Sequence, residues 1–559
     1  MKQKNFREIN IYTVKFDSAA WLLDIINNTF YLFKEKYEYK INIHILDDYN
    51  DNTFKNYSKY FIHLILNFCF KKKFNIKFKS FKFLNRKFNK NSFYYKILTN
   101  RDVKFNLNNY KFQISKFKYN FLDLIYYKVK SFLLSVFIFF KYFFFKKKIE
   151  FLNLKIKKIL VGPLIASTLL RESPKLGGQF NFTLKLLLIL NHAIYYIFIS
   201  EKYFQKIKKK QSYSIVPEPT YLQVLWKRIL LKKGIASIET HHYKKFPLIN
   251  RNYNYFFPWI IEKKKIKKIN NSQKKIIGEF FKKRFFNPQL VISYMVKENS
   301  NDNNIKEILD FKNKKINLDK DSLNIVLFLH SFDDGQYLYG YDGFLDSYEW
   351  TIFTIDKCLA NKNIEKILIK PHPGTDFKNY PGNANAFTNL FKRYKKNNNV
   401  KILKKNTSII NLFSDNKYIV GFTHHGSVAE ELFYLNKKVI GFYYGPWGKN
   451  YQFCENWKNK IEYGKIISSI NKESIVSPTA KMKNIFYNYI LERKMNLLHN
   501  SDLSTRVLLA KSKKKYNKWG VRGEHSGHIR YMNDIKQFEV NNKFVDEIVK
   551  PIYKKNLIK

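Results

Sequence analysis

Lysine and histidine gather at two places where the chain also turns sharply, and both suit a phosphate. The first is Lys370-Pro371-His372-Pro373-Gly374. The second is Thr423-His424-His425-Gly426-Ser427, with Glu430 and Glu431 close behind. A protonated Lys or His offsets the charge on a phosphate oxygen. A helix beginning after Gly426 would aim free N–H groups and the positive end of its dipole at the same point. Ser427 followed three residues on by Glu430 predicts a capping box at that helix start, though the same pattern also serves as a cap and nothing more. A third cluster, Asp333-Asp334-Gly335, follows His330. Adjacent carboxylates repel, which raises one pKa toward the range of a general base; Asp-Asp-Gly equally serves as a turn.

Each cluster ends an apolar run that must position it. Residues 325–329, 367–370, 418–422 and 439–443 read as short buried strands, and 428–435 as an amphipathic helix. Strand, loop, helix and strand at this spacing predict a parallel sheet with its loops gathered at the strands' carboxyl ends, where α/β folds bind ligands.

In this order the residues resemble the carboxyl-terminal half of bacterial capsule and surface polysaccharide glycosyltransferases of the GT-B type. The resemblance runs from Leu329-His330-Ser331-Phe332-Asp333-Asp334 through Tyr348-Glu349-Trp350 to Lys370-Pro371-His372-Pro373. It continues over Gly426-Ser427-Val428-Ala429-Glu430 and the turn Gly445-Pro446-Trp447. It is specific over 324–447, weaker over 159–242 and absent elsewhere. It implies an α/β, GT-B-like fold of two Rossmann-like domains facing a cleft, and metal-independent transfer from a nucleotide sugar with no cofactor. Lys370, His372 and the Gly426-Ser427 helix start would clamp the donor phosphate, with His330, Pro373, Thr423, His425, Glu430 and Glu431 completing the donor side. The family often has a single Gly-Glu-Ala step at the helix start, so Glu430-Glu431 leaves the ribose-facing carboxylate open. Asp334 matches the family's acidic residue and leads Asp333 as catalytic base, with His372 as the third catalytic residue. Asp-Asp-Gly together with His-Pro is also similar to two motifs of bacterial sialyltransferases, so a CMP-linked sugar acid and a UDP- or GDP-sugar both stand as donors.

The 559 residues exceed one core and predict two domains. The formal charge of +58 invites a nucleic-acid reading, but the Lys is spread along the whole chain with abundant Asn, Ile, Phe and Tyr, and no nucleic-acid-binding signature accompanies it. Anionic partners of other kinds fit better: nucleotide donors, phospholipid head groups and acidic glycans. Cys69, Cys358 and Cys454 are far apart, which argues against a disulfide framework or structural zinc and for a reducing cytoplasm. Residues 1–20 are polar and mixed, unlike a signal peptide.

The expected division is an amino-terminal, Rossmann-like acceptor domain over 1–298, a linker over 299–322, a nucleotide-donor domain over 323–475 and a basic helical segment over 476–559. Residues 9–16 and 41–46 alternate like half-buried strands. The acidic run at 47–51 is read as an Asp/Asn turn ahead of a metal site. Residues 55–150 read as a Lys- and aromatic-rich insertion. Within it, 131–145 is either a buried core helix or an aromatic, Lys-flanked helix lying in a membrane interface, too short to span a bilayer. Residues 182–200 are similar but interrupted by Lys185, Asn191 and His192. In the segment 156–172 a strand, a Gly-Pro turn and a helix are expected. Glu218 and the pair His241-His242, at strand ends, are the candidate acceptor contacts.

The leading expectation is therefore a cytoplasmic glycosyltransferase, in possible contact with the inner face of the membrane, acting on a polysaccharide or glycolipid acceptor. Polyol-phosphate transfer of the teichoic-acid type and a non-catalytic scaffold of an export complex are the alternatives.

Overall fold

Alternation in the first strands sets the first sheet. In β1 (Phe6–Val14) and β2 (Glu38–Leu46), Ile9, Ile11, Ile41 and Ile43 are buried, while Glu8, Asn10 and Asn42 sit on the other face. The two strands pair in parallel with Ile9 opposite Ile41 and Ile11 opposite Ile43, so the apolar side chains share one face. On the opposite face Asn42 donates to Glu8 at 2.7 Å and to Asn10 at 3.1 Å.

The computed structural model describes residues 6–14, 38–46, 103–107, 110–207, 209, 211–216, 221–239, 248–250, 266–286, 318–319, 321–333, 335–337, 341–372, 381–404, 407–414, 416–447 and 451–491. The acidic run at 47–51 lies outside them.

Five further strands complete the first sheet: β3 (Val103–Leu107), β4 (Tyr110–Lys116), β7 (Ser212–Ile215), β8 (Ala236–Glu239) and β9 (Leu248–Asn250). The order is β3-β4-β2-β1-β7-β8-β9, parallel except at the two edges. Helices α1 (Phe121–Phe144), α2 (Lys148–Leu152), α3 (Gly162–Glu172), α4 (Leu184–Tyr203) and α5 (Leu225–Lys232) share a core that reaches Tyr12 and Leu46 of the sheet. Two expectations change here. Residues 103–107 and 110–144 are no insertion set apart from the fold: they supply the sheet's edge and a helix of its core. The segment 156–172 opens with a small hairpin, β5 (Lys155–Ile156) and β6 (Ile159–Leu160), and Gly162-Pro163 is the first turn of α3 rather than a loop. Proline is preorganised for that position, and a Cβ at Gly162 would strike the carbonyls of Phe151 and Leu152.

α4 is long and apolar enough to cross a bilayer, but 78% of its apolar stretch is buried inside the protein. It is a core helix. Ser131 and Ser135 of α1 are buried, and the Ser131 hydroxyl donates to Asn191 of α4 at 2.8 Å.

The second sheet joins β10 (Leu323–Phe328), β11 (Ile364–Lys370), β12 (Val400–Ile402), β13 (Ile419–Thr423), β14 (Lys438–Phe442) and β15 (Glu455–Trp457). All are parallel, in the order β12-β11-β10-β13-β14-β15. Numbered from β10 this is 3-2-1-4-5-6, the Rossmann order. Every residue of β10 is buried because both of its faces are covered. Ile325 and Leu327 pack under α7 (Ser347–Ala360), α8 (Pro381–Tyr394) and α11 (Lys460–Ser468). Val326 and Phe328 pack under α6 (Asn271–Phe286), α10 (Val428–Tyr434) and α12 (Ala480–Ile490). The short α9 (Ile409–Ser414) closes that side.

The allegiance of α6 corrects the division at 298. Ile277, Phe280 and Phe281 belong to the core of the second unit, and Phe281 stacks on Tyr434 with ring centres 4.1 Å apart. α12 packs into the same core; residues 492–559 lie outside the described ones. The two units meet where the loop after α3 touches the loop after β10 and the first turns of α8. There Phe180 N–H donates to Asp346 at 2.8 Å, and Asn385 donates to the Pro174 carbonyl at 3.1 Å. Gly178, at φ +75°, leaves no room for a side chain against Phe332.

Phe281→Ala should destabilise the protein by about 3–5 kcal/mol, the cost of truncating a buried ring. Urea unfolding measures it, and a change within about 0.5 kcal/mol would detach α6 from this core.

Candidate functional site

The reversal of strand order between β10 and β13 splits the loops at their carboxyl ends and leaves a crevice there. His330 follows β10, Lys370 ends β11 with His372 just beyond, and His424 and His425 follow β13. The strand order therefore brings together imidazoles far apart in sequence. The rings of His330 and His425 stack at 3.9 Å, and His330 lies 6.2 Å from His372. His330, His372 and His425 are half-buried, at the rim of the sheet.

Behind this rim is a proton-ordering chain. The His424 Nε2 contacts the Asp342 carboxylate, and its Nδ1 lies 2.7 Å from Nδ1 of His425. A carboxylate only accepts, so His424 donates to Asp342 through Nε2, and a single proton is shared between the facing Nδ1 atoms of His424 and His425. His424 is packed among Trp350, Phe442 and Trp457, which fixes its ring. Burial is the first cause holding His330 and His425 well below the usual imidazole value, and the neighbouring imidazoles add to it. Both are therefore neutral at physiological pH. The Nε2 of His330 is buried and has no hydrogen-bond partner among the described residues.

Beneath the rim lies a buried ionic group. Arg284 of α6 donates from Nε to Glu431 at 2.5 Å and from Nη2 to the Ser427 hydroxyl at 2.6 Å. Lys370, buried at the end of β11, is pushed down to about 8 by desolvation, against which Glu431 acts. Arg284 and Lys370 thus both lie near the Glu431 carboxylate, which places two cationic side chains beneath the crevice.

The capping box is not there. Ser427 makes no side-chain cap, and its hydroxyl accepts from Arg284 instead. Glu430, fully buried, accepts from the Tyr489 hydroxyl at 2.7 Å and ties α12 to α10. Thr423 closes the turn, its hydroxyl accepting from Gly426 N–H at 3.0 Å. Both carboxylates of the Glu430-Glu431 pair are engaged by internal partners, so neither faces solvent. Gly426 is needed where it stands: a Cβ would meet the Thr423 hydroxyl at 2.6 Å and His330 Nε2 at 3.3 Å.

Asp333 is buried and accepts from Ser331 at 2.7 Å and from Asn383 at 3.0 Å. Asn383 in turn accepts from Phe332 N–H at 2.7 Å. This network pins the loop after β10, the turn-shaping alternative for Asp333. Asp334, Pro373, Glu218, His241 and His242 lie outside the described residues. Sequence reasoning missed Arg284, Asp342 and Asn383. Each acts across a long stretch of chain, and no local spacing marks it.

A solvent-open recess lined by Asp356, Arg393 and Tyr394 lies near the amino-terminal edge of the same sheet, away from these loops. Among the described residues no group of three or more His, Cys, Asp or Glu side chains is arranged to hold a metal ion.

No family model and no curated protein matches the sequence. Among solved structures the chain is similar to a trehalose-6-phosphate structure from E. coli bound with UDP-2-fluoro glucose, at 6% identity, covering 91% of this chain and 99% of that one, TM-score 0.28. It is similar to an alpha,alpha-trehalose-phosphate synthase (UDP-forming) from Burkholderia vietnamiensis at 6% identity, covering 91% and 100%, TM-score 0.29. An alpha,alpha-trehalose 6-phosphate synthase from Burkholderia multivorans follows at 7%, 90% and 99%, TM-score 0.30. Likeness this slight decides neither fold nor activity; the fold rests on the strand order itself.

The depressed imidazoles carry a pH signature. A group whose folded pKa lies below its unfolded value near 6.5 takes up its proton first in the unfolded chain, so stability present above that value is lost as pH falls. His330→Gln should flatten the loss of stability between pH 7 and 5, measured by urea titration at each pH. An unchanged slope would remove His330 from the cause.

Proposed function

We propose that the protein is a metal-independent glycosyltransferase that moves a sugar from a CMP-, UDP- or GDP-activated donor to a surface polysaccharide or its lipid-linked precursor. The observation that carries this reading is the meeting of His330, His372 and His425 at the switch point of a Rossmann-ordered sheet, above the buried Arg284–Glu431–Lys370 group. A nucleotide's phosphate or diphosphate laid in that crevice meets half-buried imidazoles. The resemblance of these same motifs to capsule and surface polysaccharide glycosyltransferases adds the acceptor class and a place of work in the cytoplasm, at the inner face of the cell membrane.

The first step in this reading is electrostatic. His330 and His425 are held neutral near pH 7, because charging them in a crowded, desolvated rim is unfavourable. An arriving phosphate group reverses that balance, raises their pKa values and draws in protons. The Nε2 of His330, which has no hydrogen-bond partner among the described residues, then donates to a phosphate oxygen. The same cations stabilise the charge that grows on the departing phosphate as the glycosidic bond to the donor breaks. Asp334, matched to the family's acidic residue, is the base that takes the proton of the acceptor hydroxyl. The neighbouring loop network through Asp333 and Asn383 holds that loop in place.

Purified protein given a panel of nucleotide sugars should release free nucleotide with one donor class, in an acceptor-dependent reaction. His372→Ala and His330→Ala should weaken nucleotide binding. Asp334→Asn should lower turnover about 10²–10⁴-fold, the usual worth of a general base, with a smaller effect on donor affinity. Normal turnover in a folded Asp334→Asn variant would exclude that residue. Failure of every donor to bind would favour the scaffold alternative.

Calorimetry in buffers of different ionisation enthalpy should detect proton uptake on nucleotide binding, and affinity should rise as pH falls from 8 to 6. Binding with no proton uptake would show that the imidazoles are not the phosphate clamp.

A further inference from the structure

α1 has two apolar faces, and the fold covers one of them. Ser131, Phe132, Ser135, Ile138 and Phe139 are buried against the core, with α4 beside them. On the other face Ile125, Val129, Leu133, Phe137, Phe140 and Phe144 recur at spacings of three and four residues and form one stripe along the helix. Leu133 is 64% exposed, Phe137 66% and Phe144 69%. Singly exposed apolar residues are ordinary on protein surfaces, whereas an unbroken line of large ones marks a contact surface. Over Leu122–Phe144 a helix rises about 33 Å at 1.5 Å per residue.

The charges bordering this stripe identify what it meets. Lys130 and Lys141 lie along one edge, and Lys146 and Lys147 follow directly on the helix's last turn, all exposed. The helix's own acid, Asp123, lies on the same edge as Lys130 and Lys141, and its charge is offset by Lys202 at 2.5 Å and by the Tyr203 hydroxyl at 2.7 Å. Lys147 lies 3.8 Å from Glu150. An exposed apolar stripe with a basic border, on a chain of charge +58, complements a surface that offers anionic groups above hydrocarbon.

From these residues we infer that α1 docks the protein on an anionic lipid surface, lying in the plane of the interface with Leu133, Phe137 and Phe140 inserted and the lysines at head-group level. This deepens the membrane-facing part of the function proposed above, and it does not depend on glycosyl transfer. The sequence alone marks 131–145 as the candidate interface segment. The fold removes Phe139, which is buried, and extends the surface upstream to Ile125 and Val129. Long Lys side chains reach head groups while their methylenes stay on the apolar stripe.

The test uses the full chain and vesicles of phosphatidylcholine with or without phosphatidylglycerol, in co-sedimentation at low and high salt. Wild type should bind the anionic vesicles, and high salt should release only part of it, because screening weakens the charge contacts and leaves apolar insertion intact. Phe137→Asp should weaken partitioning at both salt levels by about tenfold or more. Lys141→Glu with Lys146→Glu should weaken it chiefly at low salt. Phe137→Leu should bind as wild type. If Phe137→Asp alters thermal unfolding, Phe144→Asp, on the helix's last turn, carries the same comparison. Nucleotide binding without vesicles, measured on the same variants, should be unchanged and separates failure of docking from failure of the transferase reading. Absence of wild-type binding to anionic vesicles would overturn the inference, as would wild-type binding by the Asp variants. A dimer in sedimentation equilibrium that Phe137→Asp dissociates, without vesicle binding, would assign the stripe to a second copy of the chain instead.

Discussion

The pairing of β10 with β11 on one side and β13 on the other is the constraint from which the site follows. β10 is hydrogen-bonded along both edges, so the connections leaving β10 and β13 must run in opposite directions across the sheet. Their loops part, and the space between them is where His330 and His425 come within stacking distance. Neither ring could be placed there by its own segment. The geometry depends on all six residues of β10 being buried, which fixes the register and hence the height at which each loop leaves.

A second dependence runs through the buried ion pair. Taking Arg284 and Glu431 out of water is costly, and only close geometry with further hydrogen bonds offsets it. Ser427 supplies one such bond, so the helix start expected to cap itself is held from outside by α6. The arrangement couples three elements, α6, α10 and β11, to a single carboxylate. It also leaves Lys370 beside the group, with its pKa lowered to about 8 because burial outweighs the attraction of Glu431. At neutral pH it stays largely protonated.

The amino-terminal unit contributes differently. Its core is dominated by long apolar helices rather than by the sheet, and α4 is buried on nearly every side. α1 then has to cover α4 while presenting its second apolar face outward. The small side chains Ser131 and Ser135 lie on the buried face, and the hydroxyl bond to Asn191 satisfies a buried amide oxygen. The loop after α3 joins this unit to the loop bearing Asp333, through Asp346 and Phe180. Burial raises Asp346 to about 6, so this joint includes a carboxyl group that titrates near neutrality.

Periodicity and short apolar runs were enough to locate β1, β2, β10, β11, β13 and β14, the helix α10 and the two-unit α/β class. Each is a local pattern written in neighbouring residues. The order of Lys370, His372, His425 and Gly426 at strand ends was legible for the same reason. The edge strands β12 and β15 escaped because three residues carry too little pattern. The membership of α6, the pairing of Arg284 with Glu431 and the contact of Asp342 with His424 belong to tertiary structure alone. They join residues 147 and 82 positions apart, and no local preference encodes such a distance. The capping box failed on the same ground: Ser427 and Glu430 had a favourable local partnership, but Arg284 and Tyr489 offered buried, better-enclosed ones. In α1 the sequence determined an apolar helix with lysines around it. Which of its two apolar faces is covered was decided only by where α4 lies.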